Sequence, residues 1–181
     1  EIIQVADSGG IDRAKSLLAS DHPLACDFQI RGTQLQTIAA GQPHAGEKIV
    51  RQWGRSGPGH AMVYAGYDDT VGFDFNGDGV ITTDRDITGD GVVTLADRER
   101  GAFLVINPWG GAWGNRGRAW APYREHALSV WPWSRSVARV SPAPPAARPR
   151  LTLKLRMLAA ERQNVIVTAG SGRGRSIEPW M

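Results

Sequence analysis

One cysteine, Cys26, stands in 181 residues, so no internal disulfide framework can staple this chain. No apolar run approaches the roughly 18 residues of a membrane-spanning helix, and no charged, apolar and small-residue leader heads the sequence, so no membrane span is expected. The first residue is Glu1, not Met, and the expectation is that processing or truncation set this end. The net charge is +3 and the pI about 9.4, but the arginines are scattered among glycines and prolines. No basic helix or base-stacking motif accompanies them, which argues against nucleic acid as a partner. The remainder, 41% hydrophobic and 22% charged, is the composition of a globular chain long enough for one domain and part of another.

Ile11, Ala14, Leu17 and Leu18 share one face of a short amphipathic helix over 11–19, with Gly9-Gly10 as a flexible lead-in. Asp21-His22-Pro23 stops it, with His22 read as a turn residue that caps. Leu24, Cys26, Phe28 and Ile30 then alternate with Ala25, Asp27 and Gln29, the pattern of a half-buried strand. Cys26 is therefore expected to be a buried strand residue. Glycines and Pro43 break every candidate element over 31–56, and His44 reads as a solvated loop histidine.

The richest stretch runs from Gly57 to Gly114. Gly57-Pro58-Gly59 is a turn-like approach that delivers His60 to a strand over 61–65, which Gly66-Tyr67-Asp68-Asp69 is expected to end. A second buried strand over 102–106 ends on Asn107, followed by Pro108-Trp109-Gly110. A histidine opening one strand and an asparagine closing its neighbour can meet side by side.

Between them lies an internal repeat. Asp74-Phe75-Asn76-Gly77-Asp78-Gly79-Val80-Ile81-Thr82 is echoed by Asp86-Ile87-Thr88-Gly89-Asp90-Gly91-Val92-Val93-Thr94 at an offset of 86 − 74 = 12. Oxygen side chains at positions one, three and five, glycine at six and a backbone carbonyl at seven wrap a hard cation such as calcium. The predicted ligands are Asp74, Asn76, Asp78, the Val80 carbonyl and Thr82, then Asp86, Thr88, Asp90, the Val92 carbonyl, Thr94 and a closing Asp97. Position twelve of the first loop is Arg85, so Asp84 or a shared Asp86 is expected to close it. Without a cation the acidic side chains of 68–99 would repel one another. The expected ion is a structural calcium, which suits an extracellular or cell-envelope location.

Gly59-His60-Ala61-Met62-Val63-Tyr64-Ala65-Gly66-Tyr67, Asn107-Pro108-Trp109-Gly110 and Trp113-Gly114-Asn115-Arg116-Gly117 together resemble the second half of a papain-like cysteine peptidase. The clear resemblance covers about residues 57 to 123. It implies peptide-bond hydrolysis with a protein or peptide substrate. By matching position, it makes His60 the general base, Asn107 the residue that orients the ring, and Trp109 the cover over their hydrogen bond. Pro108 departs from the serine usual there, and Arg118 from an apolar residue. The family's nucleophile sits in a Cys-Gly-Ser/Ala-Cys-Trp/Tyr segment far upstream of the histidine. Cys26, 60 − 26 = 34 positions before His60 in a strand pattern, does not fit, so a missing N-terminal half with the Cys nucleophile is the implied partner. The abutting acidic repeats, with no room for a helix between them, resemble dockerin-like or thrombospondin-like calcium loops more than a paired EF-hand.

The organisation expected is thus α+β. Residues 1–140 read as the β-rich C-terminal half of a papain-like fold with a calcium-loop insertion over about 68–100. A Pro/Ala linker follows at 141–150, then the start of a β-sandwich-like accessory module at 151–181, truncated after strands at 151–157 and 165–168. Arg118–Tyr123 reads as a closing strand, and Leu128–Trp133 as a further strand or ordered tail. A non-catalytic, calcium-dependent binding or adhesion module that keeps the fold is the alternative.

Overall fold

Residues 1–141, 170–171 and 178–179 are described by the computed structural model. The chain forms two compact units, Glu1–Pro142 and Ala143–Met181. In the first, chain order runs β1 (Ile2–Gln4), α1 (Ser8–Ala19), β2 (Leu24–Arg31), β3 (Gln34–Thr37), β4 (Lys48–Gln52), β5 (Ser56–Gly72), β6 (Arg100–Ile106), β7 (Arg118–Pro122), α2 (Arg124–Leu128) and β8 (Ser136–Arg139). The eight strands make one mixed, open sheet in the order β1-β8-β2-β5-β6-β7-β4-β3. All pairings are antiparallel except β4 beside β7, which run parallel through Ile49 and Trp120. In the second unit Gly170–Ser171 pairs antiparallel with Glu178–Pro179. The expected linker and the strands at 151–157 and 165–168 lie outside the described residues.

Alternation along the strands separates two apolar faces. Leu24, Cys26 and Phe28 of β2, Met62 and Tyr64 of β5, and Phe103 and Val105 of β6 bury themselves on one face with Ile11 and Ala14 of α1. Ala102 and Leu104 point to the other, where they meet Ile38, Ile49, Val71 and Trp120. The helix starts at Ser8, so Gly9 and Gly10 lie inside it and are not a flexible lead-in; Asp7 caps it by accepting the Gly10 N–H at 2.8 Å.

Strand β5 corrects two expectations. It does not end at Gly66–Asp69 but runs to Gly72, with Gly66, Tyr67 and Asp68 pairing Leu104, Phe103 and Ala102. The register shifts between Tyr64 and Gly66, so the alternation breaks while the ladder continues. Gly57, Pro58 and Gly59 also belong to the strand and are not a turn. An irregularity opposite Gln29–Arg31 and a left-handed Gly57 (φ 85°) accommodate the proline. Leu128–Trp133 is not a strand: it spans the end of α2 and a 3-10 turn over Pro132–Arg135, and the strand comes only afterwards, as β8.

His126 of α2 is fully buried in this core. Its Nε2 meets the Tyr64 hydroxyl at 3.1 Å, its Nδ1 the Ser134 carbonyl, and Phe28 and Phe103 flank the ring. Burial pulls its pKa from 6.5 down to about 4, opposed by the bond to Ser134. The unfolded ring therefore takes up a proton that the folded ring refuses. Its contribution to stability is complete above pH 6.5 and is lost as pH falls from 6.5 to about 4. The shift corresponds to about 3 kcal/mol. Glu125, whose pKa burial raises, works in the opposite direction. Urea unfolding across this window should therefore be compared with His126→Gln, which keeps a donor and an acceptor. A flatter slope in the variant is expected; equal slopes would assign the pH dependence elsewhere.

Candidate active site and acidic loops

His60 and Asn107 come together because β5 and β6 are neighbours, with Val63 opposite Ile106. His60 Nε2 lies 3.0 Å from Asn107 Oδ1. The same oxygen accepts the Trp109 backbone N–H at 3.0 Å across Pro108, while the Asn107 N–H is fixed on the Gly117 carbonyl at 2.9 Å. These contacts determine the protonation pattern. A backbone N–H can only donate, so the atom it meets is the amide oxygen, and an amide oxygen can only accept from the ring. Nε2 of His60 therefore carries the proton, and in the neutral ring the lone pair is on Nδ1, which has no hydrogen-bond partner among the described residues. The Trp109 ring lies over the imidazole, centroids 4.4 Å apart, although Trp109 itself is 57% exposed. Asn107 is buried, and its Nδ2 has no acceptor among the described residues. On the opposite face of β5, Gly59 lets the Asp27 carboxylate approach where a Cβ would stand, and Trp131 Nε1 holds that carboxylate at 2.6 Å.

Cys26 pairs with Met62, two positions along the strand from the Phe28–His60 pair, and is 4% exposed. Burial raises its thiol pKa far above the ordinary value, so no thiolate forms there at neutral pH. His22 contributes a backbone N–H to the Leu17 carbonyl at the end of α1. His44 is not merely solvated: its Nε2 meets Asp68 at 2.9 Å and its ring packs on Trp120.

The acidic repeats fill the connection from β5 to β6, and the two loops are built alike. Asp74 accepts the N–H groups of Gly77 and Gly79 at 2.6 and 2.8 Å; Asp86 accepts those of Gly89 and Gly91 at 2.6 and 2.7 Å. Asp78 accepts from Val80, and Asp90 from Val92. Gly79 and Gly91 take left-handed φ of 82° and 87°, which turns the chain after position five. Asn76 and Thr88 bond to Asp78 and Asp86 respectively.

Asp97, fully buried, closes the second loop by accepting from Ile87, Thr88 and Thr94. Against the desolvation that raises it, donors from Thr94 and Thr88 hold its pKa down to about 2. Among the described residues neither Asp84 nor Asp86 accepts a backbone N–H of the first loop. Glu99 takes the closing position, accepting Phe75 N–H at 2.8 Å and Thr82 N–H at 2.9 Å, while its own N–H donates to the Thr82 carbonyl. It serves Phe75 and Thr82 as Asp97 serves Ile87 and Thr94. The reason is reach: the chain returns after the second loop and brings Glu99 back beside the first. Counting twelve residues from Asp74 could not locate it.

Among the described residues, no three carboxylates, imidazoles or thiols converge closely enough to grip an ion, because these side chains are turned onto backbone N–H groups. The donor set is nevertheless all oxygen, and Thr82 Oγ1 is a buried oxygen without a partner among the described residues. No family model, curated protein or solved structure matches the chain.

Proposed function

We propose that this chain is the base-bearing half of a papain-like cysteine peptidase, with its acidic loops holding structural calcium. The observation that carries the reading is the His60–Asn107–Trp109 arrangement, which leaves Nδ1 of His60 as a bare base. A cysteine thiol from the missing N-terminal half gives its proton to Nδ1. The thiolate attacks the peptide carbonyl, and the imidazolium returns the proton to the departing amine as the acyl-thioester forms. Water, deprotonated by the same nitrogen, then releases the acid and regenerates the thiol. Asn107 accepts from Nε2 throughout and so keeps the ring in the productive tautomer.

In the loops, Asp74, Asn76, Asp78, the Val80 carbonyl, Thr82 and Glu99 would hold one ion. Asp86, Thr88, Asp90, the Val92 carbonyl, Thr94 and Asp97 would hold the other. Bound there, calcium would neutralise the crowded carboxylates and fix the connection between the strands that carry His60 and Asn107. A calcium-rich compartment, extracellular or in the cell envelope, suits such sites.

The test is hydrolysis of unblocked peptides by this chain and by the chain extended through its upstream coding sequence. The chain alone is expected to be silent. The extended protein should carry a cysteine at a helix start and lose activity to a thiol-reactive inhibitor. The second reading, a non-catalytic calcium-dependent binding module, draws on the burial of Cys26, and an upstream sequence without such a cysteine would favour it. Turnover by the chain alone that Cys26→Ala abolishes would overturn both.

A further inference from the structure

Arg51 of β4, Arg55 and Arg124 of α2 line one cavity of about 190 Å³, together with Phe75 and Asn76 of the first acidic loop. None of the three arginines forms a salt bridge among the described residues. Arg124 is the most constrained. It is 7% exposed, its guanidinium stacks 4.3 Å above the Phe75 ring, and its Nε and Nη1 are buried without an acceptor among the described residues. The one carboxyl group lining the cavity, Glu125, is already held on the Trp53 N–H at 3.0 Å. Buried guanidinium groups are ordinarily paired with anions, since an unpartnered donor loses its hydration without compensation. Glu125, Glu99 and Asp97 all act on Arg124 through their charge, yet none forms a salt bridge with it, since each is held on backbone N–H groups. The buried guanidinium donors therefore face the cavity without a direct acceptor, and its volume admits a group of a few heavy atoms.

We propose that this cavity binds a small oxyanion, the carboxylate or phosphate group of a ligand, with Arg124 as its buried anchor and Arg51 and Arg55 as the outer contacts. Guanidinium groups suit this ligand because their planar array of N–H donors matches carboxylate and phosphate oxygens. The site shares no residue with the His60–Asn107 pair, so it can be occupied whether or not the peptidase reading holds.

The experiment is calorimetric titration of the full chain, at constant ionic strength and in calcium-containing buffer, with acetate and separately with sulfate. Sulfate is the tetrahedral stand-in for phosphate that leaves calcium in solution. Saturable one-site binding with a dissociation constant of about 1 mM or tighter is expected for at least one probe. Arg124→Gln and Arg51→Gln should each weaken it tenfold or more, and Arg13→Gln, far from the cavity, should not. If Arg124→Gln does not fold, the exposed Arg51→Gln and Arg55→Gln carry the test. Preference for sulfate identifies a phosphate-type ligand, and preference for acetate a carboxylate. Saturation by neither probe, or affinity unchanged in Arg51→Gln and Arg55→Gln, would overturn the site.

Discussion

If the extended chain is the proposed peptidase, His60→Ala is expected to lower its kcat/KM about a thousandfold or more. A positioned acid–base group contributes roughly 10²–10⁴, and in the proposed mechanism this imidazole would both remove the thiol proton and protonate the leaving amine. The loss should fall on kcat, with KM little changed, because the ring acts on protons in flight and not on bound peptide. Asn107→Ala should cost less, on the order of tenfold to a hundredfold, as expected when a catalytic group stays present but loses its aim. Trp109→Ala should cost less again, because the covering ring is 57% exposed and leaves the His60–Asn107 bond itself in place. A reversed order, with Asn107→Ala worse than His60→Ala, would mean that the base has been misassigned. So would activity that survives without His60.

Calcium should stabilise the chain by an amount that depends on which carboxylates remain. For an ion that binds only the folded loop with a dissociation constant near 10 µM, millimolar calcium would add on the order of 2.7 kcal/mol per ion. Two closed loops would therefore add about 5 kcal/mol, and the melting temperature should rise by roughly ten degrees or more. Glu99→Gln is expected to remove the first ion and Asp97→Asn the second, while Asp84→Ala leaves both. Magnesium should compete weakly, since a flexible oxygen cage favours the larger ion. Calorimetric titration of the chelator-stripped protein reads these stoichiometries directly. No calcium heat, or an Asp90→Ala variant that binds like the wild type, would remove calcium from the account.

What the sequence disclosed depended on how local the determining interactions are. Strand β2 was legible because Leu24, Cys26 and Phe28 alternate without a break, and α1 because Ile11, Ala14, Leu17 and Leu18 recur at helical spacing. The far half of β5 was not legible. Its ladder survives a register shift at Gly66, and only the partner strand reveals that pairing continues. β3, β4 and β8 are four or five residues long and take their stability from neighbours distant in sequence. At the site, the motif around His60 and Asn107 led to the pair, but the roles of the two ring nitrogens required the Trp109 N–H. Glu99, Arg124 and His126 carried no local signal. Each acquires its surroundings from segments that the sheet brings back into contact.

Central to the account is that Asn107 fixes the proton on Nε2 of His60 and leaves Nδ1 bare for a thiol. Nitrogen-15 NMR of the imidazole side chains in this chain, in alkaline buffer, tests it most directly; the signals of His60 are assigned by their loss in His60→Gln. The predicted spectrum has a protonated Nε2 and an unprotonated Nδ1, relaxing to a tautomer mixture in Asn107→Ala. A wild-type ring protonated on Nδ1 would contradict the account.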